Sequence, residues 1–132
     1  METKQDILNR LFVENNLTDE DVFSHQHYKI ITRGGINKIE SNLNISITFE
    51  VIKCEPNFSV VKAKAKYNNK SIETFGSALK GQSYQEGNTN TWYVMEMAEK
   101  RAMSRAVLKL AGFYALGVFG EDESESFKKV NN

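Results

Sequence analysis

Three lysines occupy alternate positions in Val60-Val61-Lys62-Ala63-Lys64-Ala65-Lys66-Tyr67. On an extended chain, alternation throws all three ammonium groups to one side, about 6.5–7 Å apart. Phosphates repeat on a similar scale along a single nucleic-acid strand, so such a row suits a sugar-phosphate chain held by charge alone. A plainer use is a solvated face, or an edge strand protected from aggregation. Arg101, Arg105 and Lys109 form a second cationic set at i, i+4, i+8. On a helix that spacing is one stripe, which would also serve as the ordinary charged outer side of an amphipathic helix.

Other candidates carry less chemistry. Glu99 falls on a wheel inside the apolar side near Met95, Met103 and Ala106. A carboxylate buried there needs a cationic or hydrogen-bonding partner, so a structural ion pair with Lys or Arg is predicted. No second carboxylate, histidine or nucleophile is spaced to cooperate with it, so no catalytic residue is assigned and the chain reads as a non-enzyme. His25-x-His27 lacks a third ligand at metal-site spacing, and no metal or other cofactor is assigned. Thr32-Arg33-Gly34-Gly35 lacks the spacing of a phosphate-cradling loop. Tyr84, Trp92 and Tyr93 are aromatics that could stack on bases, though Trp92 suits a core.

The elements that must position these groups follow from length, charge and periodicity. At 132 residues, 40% hydrophobic, the chain fits one domain. One cysteine, Cys54, permits no internal disulfide and fits a reducing compartment. No apolar run approaches the ~18–20 residues of a membrane span. The N-terminus is polar and unlike a secretory signal, so a soluble, cytoplasmic protein is expected. Net charge is zero, but it is unevenly spread: −4 over residues 1–21, +6 over 22–119 and −2 over 120–132. A basic middle between acidic ends can still attract a polyanion, because salt confines fields to about 8–10 Å.

Thr3 and Asp6 read as a capping pair for a helix over 4–15, with Ile7, Leu8, Leu11 and Phe12 at helical spacing. Thr18-Asp19-Glu20-Asp21 repeats the pattern and predicts a short helical turn. Thr32 caps a further short helix buried through Ile36, Ile39 and Leu43. Three alternating segments follow, 45–52, 58–67 and 71–79, with turns at Glu55-Pro56-Asn57 and Asn68-Asn69, which make an antiparallel meander. After a polar loop, a helix over 91–116 has Trp92, Met95, Ala102, Met103, Ala106, Leu110 and Phe113 on one face. Residues 1–120 are expected to form a single domain, and 121–132 an acidic, disordered tail. The predicted class is α+β: a three-stranded meander packed against one long C-terminal helix, with short N-terminal helices.

Ala98-Glu99-Lys100-Arg101-Ala102-Met103-Ser104-Arg105-Ala106-Val107-Leu108-Lys109, followed by Gly112-Phe113-Tyr114-Ala115-Leu116-Gly117, resembles the signature helix of the Rad fifty-two superfamily. These are single-strand annealing proteins of eukaryotes, phages and bacteria, and the likeness is closest to the bacterial and phage branch. Thr32-Arg33-Gly34-Gly35-Ile36-Asn37-Lys38-Ile39 is similar to the stretch before the meander in that branch. The resemblance covers roughly residues 28–120. It implies a β-β-β-α core, homo-oligomerisation commonly into rings, and single-stranded DNA held in a basic groove between sheet and helix, lined by Lys109 with Arg105 one turn before. It implies annealing in homologous recombination or repair, beside other recombination proteins, without bond chemistry. Arg101 and the strand lysines Lys62, Lys64 and Lys66 join this set from the spacing argument. The alternative is an assembly module on the same scaffold with weak or no DNA binding. Under the DNA-binding reading, the acidic tail is expected to compete with DNA for the basic groove.

Overall fold

The computed structural model describes residues 2–25, 28–81, 87, 89 and 93–123. Helix α1 (Lys4–Glu14) starts at the predicted cap: Thr3 accepts from the Asp6 N–H while the Asp6 carboxylate accepts from the Thr3 N–H. Helix α2 (Arg33–Leu43) is capped by Thr32, which accepts from the Gly35 N–H, and ends on Asn44 in the left-handed region at φ 55°. Gly35, Ile36 and Ile39 are its buried residues; of the predicted three, Ile36 and Ile39 are buried and Leu43 only partly so.

The predicted helical turn at Thr18 does not form a helix. Asp21 turns its carboxylate back onto the Thr18 N–H at 3.0 Å and the Lys38 ammonium at 2.6 Å, which ties the turn to α2. Those donors hold the Asp21 carboxyl below the ordinary carboxylate range. The chain then runs out as strand β1 (Val22–His25), antiparallel to β2 (Tyr28–Ile31).

Strands β3 (Ser46–Cys54), β4 (Phe58–Tyr67) and β5 (Lys70–Leu79) are the predicted antiparallel meander, with β4 central. Asn68 takes φ 57° in the two-residue turn between β4 and β5. Val61, Ala63 and Ala65 of β4 stand opposite Gly76, Thr74 and Ile72 of β5, so these residues share one face. That face is covered by α3 (Val94–Ala111), whose Ala98, Ala102 and Ala106 are wholly buried. Small residues on both surfaces allow close approach. The Thr74 hydroxyl donates to the Ala102 carbonyl at 2.7 Å.

A strand at the far end of the sequence completes the fold. Gly112 and Gly117, at φ 91° and 79°, reverse the chain around the 3-10 turn Tyr114–Leu116. The chain then enters β6 (Val118–Gly120), which pairs in parallel with β2. Helix α3 is therefore a middle layer, with the meander on one side and α2 and the β1-β2-β6 sheet on the other. This corrects the single apolar face read from the sequence. The buried residues of α3 include Val94, Met97, Arg101, Ser104, Val107 and Leu108, whereas Met95 and Met103 are only partly buried. Trp92 and Tyr84 lie outside the described residues.

The domain boundary at residue 120 is also corrected. Glu121–Glu123 form a 3-10 turn packed on the body, with Asp122 and Glu123 buried. Residues 124–132 lie outside the description. No helix among the described residues is long and apolar enough to cross a membrane.

Candidate nucleic-acid interface

Alternation along β4 does place Lys62, Lys64 and Lys66 on one face, the face away from α3. Lys62 sits between flanking strands, 3.7 Å from Glu50 on β3 and 3.7 Å from Glu73 on β5. Lys64 also lies 3.7 Å from Glu50. Both glutamates are half exposed, so these are loose pairs in water-like surroundings, worth at most about 1 kcal/mol each. Lys66, at the hairpin end, is exposed. Phe75 stands opposite Lys62 and is 50% exposed, an aromatic ring in the lysine row's own plane. Phe58, Val60 and Leu79 extend that face, partly or largely open to solvent.

The helix cations go elsewhere. Arg101 is only 5% exposed and is no part of a solvated stripe. Its guanidinium donates to the Ser77 carbonyl at 2.8 Å and to the Asp122 carbonyl at 3.0 Å. Arg105 donates to the Phe75 carbonyl at 2.9 Å and pairs with Glu123 at 3.2 Å. Both arginines thus fill backbone acceptors on β5, which has no further strand beside it in the described sheet. Lys109 is the exposed one of the three, with its ammonium 5.3 Å from the Tyr114 ring centre. The six predicted cations do not line one groove. The strand lysines and helix α3 occupy opposite faces of the meander, because Val61, Ala63 and Ala65 take the helix side.

Glu99 is likewise corrected. It is exposed, borders a shallow hollow with Arg33 and Lys100, and forms no ion pair with a described residue. Besides Asp21, the buried carboxylates among the described residues are two of those assigned to the tail, Asp122 and Glu123. Asp122 accepts from Arg33 Nε at 2.6 Å and from the Ser104 hydroxyl at 3.2 Å. Glu121 accepts from the Arg33 N–H at the first turn of α2. A clasp of three acidic residues therefore joins α2, α3 and the rim of β5. The available sequence signal was the charge complementarity between this acidic triplet and the arginines of α3. His25 lies on β1, and His27 is outside the described residues.

Glu123 makes the clasp sensitive to pH. Burial raises its carboxyl above the ordinary 4.5, and the attraction of Arg105 and Arg101 only partly offsets this. One of its oxygens has no hydrogen-bond partner among the described residues. A raised value means that the fold binds the proton more tightly than the unfolded chain does. The resulting stabilisation is present below pH 4.5 and is lost as pH rises through the folded value. Glu123→Gln should therefore raise the melting temperature at pH 7 and leave it near the parent value at pH 4. Equal shifts at both pH values would contradict this.

No protein-family model, curated protein or solved structure matches the chain. The fold and this surface define an α+β protein with one lysine-rich, aromatic sheet face that no described element covers.

Proposed function

We propose that the chain binds single-stranded DNA on the open face of the meander and, as a homo-oligomer, promotes annealing of complementary strands without bond chemistry. The observation that carries this reading is the row Lys62, Lys64, Lys66 beside exposed Phe75, on a sheet face that no described element covers. Cations spaced like phosphates neutralise the backbone, and an aromatic on the same surface stacks a base of any identity. Annealing asks for little more: one strand is held by its phosphates while base edges stay available. Repeating a weak site across several subunits multiplies its hold on a long strand. The sequence resemblance to the Rad fifty-two superfamily supports the same reading, with the contact surface moved from a sheet–helix groove to the outer sheet.

Fluorescence polarisation with a labelled oligothymidylate at several salt concentrations tests it. Lys62→Gln, Lys64→Gln and Lys66→Gln together keep the side-chain stems and remove three charges. Affinity should fall at least tenfold, and the log–log salt slope should shrink by about 2, since each single-strand phosphate contact contributes about 0.7. Unchanged affinity in the folded triple variant would refute the interface.

A specific observation also favours the assembly reading. Phe49 and Val51 lie on the helix side of β3, yet are 40% and 49% exposed, because α3 covers β4 and β5 instead. Ile52, at the bulge, is exposed beside them. An apolar strip on an outer strand is where a further copy would pack. Light scattering that found an oligomer indifferent to oligonucleotides would select an assembly module over a DNA-binding one.

A further inference from the structure

A second cationic hollow lies away from the meander, between the start of α1, strand β2 and the turn into β6. It has a volume of about 490 Å³ and is lined by Lys4, Gln5, Leu8, Tyr28, Lys29 and Gly117, among others, with no carboxylate among the described residues of its wall. The Lys4 ammonium reaches across to Gly117, where even a Cβ would lie in ordinary contact, 3.8 Å from Nζ. The Lys29 ammonium meets the Ser24 hydroxyl, a neutral acceptor, at 3.3 Å, and Lys29 also borders a neighbouring hollow together with Asp19.

Tyr28 forms the rim and is 39% exposed. Its ring meets Phe119 edge-on at 5.4 Å, and Phe119 meets Tyr114 edge-on at 5.3 Å. Lys109 stands over Tyr114. A run of three aromatic rings thus leads from the cation at the end of α3 to the rim of the hollow.

We propose that this hollow is a second contact point for a single-stranded polynucleotide: Lys4, Gln5 and Lys29 hold a phosphate, and Tyr28 supports the adjoining base. The inference rests on the proposed ligand class but uses none of the meander's residues. Two ammonium groups and an amide donor, with no carboxylate among the described residues of the same wall, favour a phosphate diester. A row of rings beside them favours a nucleotide unit over a bare anion. A strand spanning both surfaces would gain affinity from the second contact as an intramolecular event.

Photo-crosslinking of the full chain to an oligonucleotide carrying 5-iododeoxyuridine, followed by peptide mass spectrometry, distinguishes the two surfaces whatever the oligomer size. The expected result is label on both Tyr28 and Phe75, with the Tyr28 label lost in the Lys4→Gln, Lys29→Gln variant. That variant should also bind the long oligonucleotide about fivefold more weakly, with a salt slope smaller by about 1.4. Label on Phe75 alone would overturn the hollow and leave the meander interface standing. Label on Tyr28 alone would do the reverse, and label on neither would overturn both. Should thymidine monophosphate block the Tyr28 label as effectively as the oligonucleotide at equal concentration, the hollow would be a free-nucleotide site and the proposal would be wrong.

Discussion

Gly76→Ala is expected to lower the melting temperature by about 10 °C or more, from a loss of about 3 kcal/mol. A Cβ at Gly76 would stand 2.2 Å from the Ala98 carbonyl oxygen and 2.4 Å from the Ala102 nitrogen. Both are backbone atoms of α3, so no side-chain rotation relieves the clash. The helix must lift from β5, and the buried alanines on both surfaces lose contact together. Gly34→Ala is the matched control. Its nearest neighbour would be the Thr32 hydroxyl oxygen at 3.8 Å, and it lies in α2. Removing a helical glycine there should be neutral or stabilising by up to about 1 kcal/mol. Thermal denaturation of the two variants side by side decides the matter, and similar melting temperatures would mean that the close approach is not what holds α3 to the sheet.

Arg101→Met should cost about 3 kcal/mol of stability and leave oligonucleotide affinity per folded molecule unchanged. Methionine replaces most of the buried stem, but the Ser77 and Asp122 carbonyls lose charged donors in a place where Arg101 is hardly exposed. Lysine is not expected to rescue, because one ammonium cannot reproduce the two-armed geometry of the guanidinium. Urea denaturation measures the first effect, and polarisation at a temperature where the variant is folded measures the second. A stable variant with lost DNA binding would return Arg101 to the exposed cationic stripe that the sequence alone suggests.

Local signals were the legible ones. The Thr3–Asp6 box, the Thr32 cap and the left-handed Asn68 turn depend on neighbours within a few positions, and each stands where the sequence predicts. The meander was legible because a period of two survives in Ile45–Val51 and Val60–Lys66, so the shared side of the three lysines could be stated in advance.

What failed depended on contacts between distant elements. Helix α3 is packed on both sides, and its alanines, which carry little hydrophobic weight, mark the closest contact better than its methionines. A wheel weighted by large side chains therefore rotated the inferred face, buried Glu99 and exposed Arg101. The direction of Arg101 follows from the outward carbonyls of β5, which are visible only once that strand is known to lie at the edge of the described sheet. Strand β6 has only three residues and pairs with a segment far upstream, too short a run to show any period. Glu121–Glu123 read as a tail because acidic composition is the same whether a segment is solvated or clamped by arginines.

The parallel join of β2 to β6 bears on the order in which the molecule can be made. Its clasp brings together Arg33 and Asp122, which are 89 positions apart. A ribosome releases β2 long before Gly120 exists, and until then the strand has a vacant flank with Ile30 and Ile31 uncovered. The meander hairpins close over short loops and can form during synthesis, but this last seam waits for translation to pass the acidic triplet. A nascent chain stalled before that point would offer a sticky apolar edge, the kind of surface that chaperones recognise.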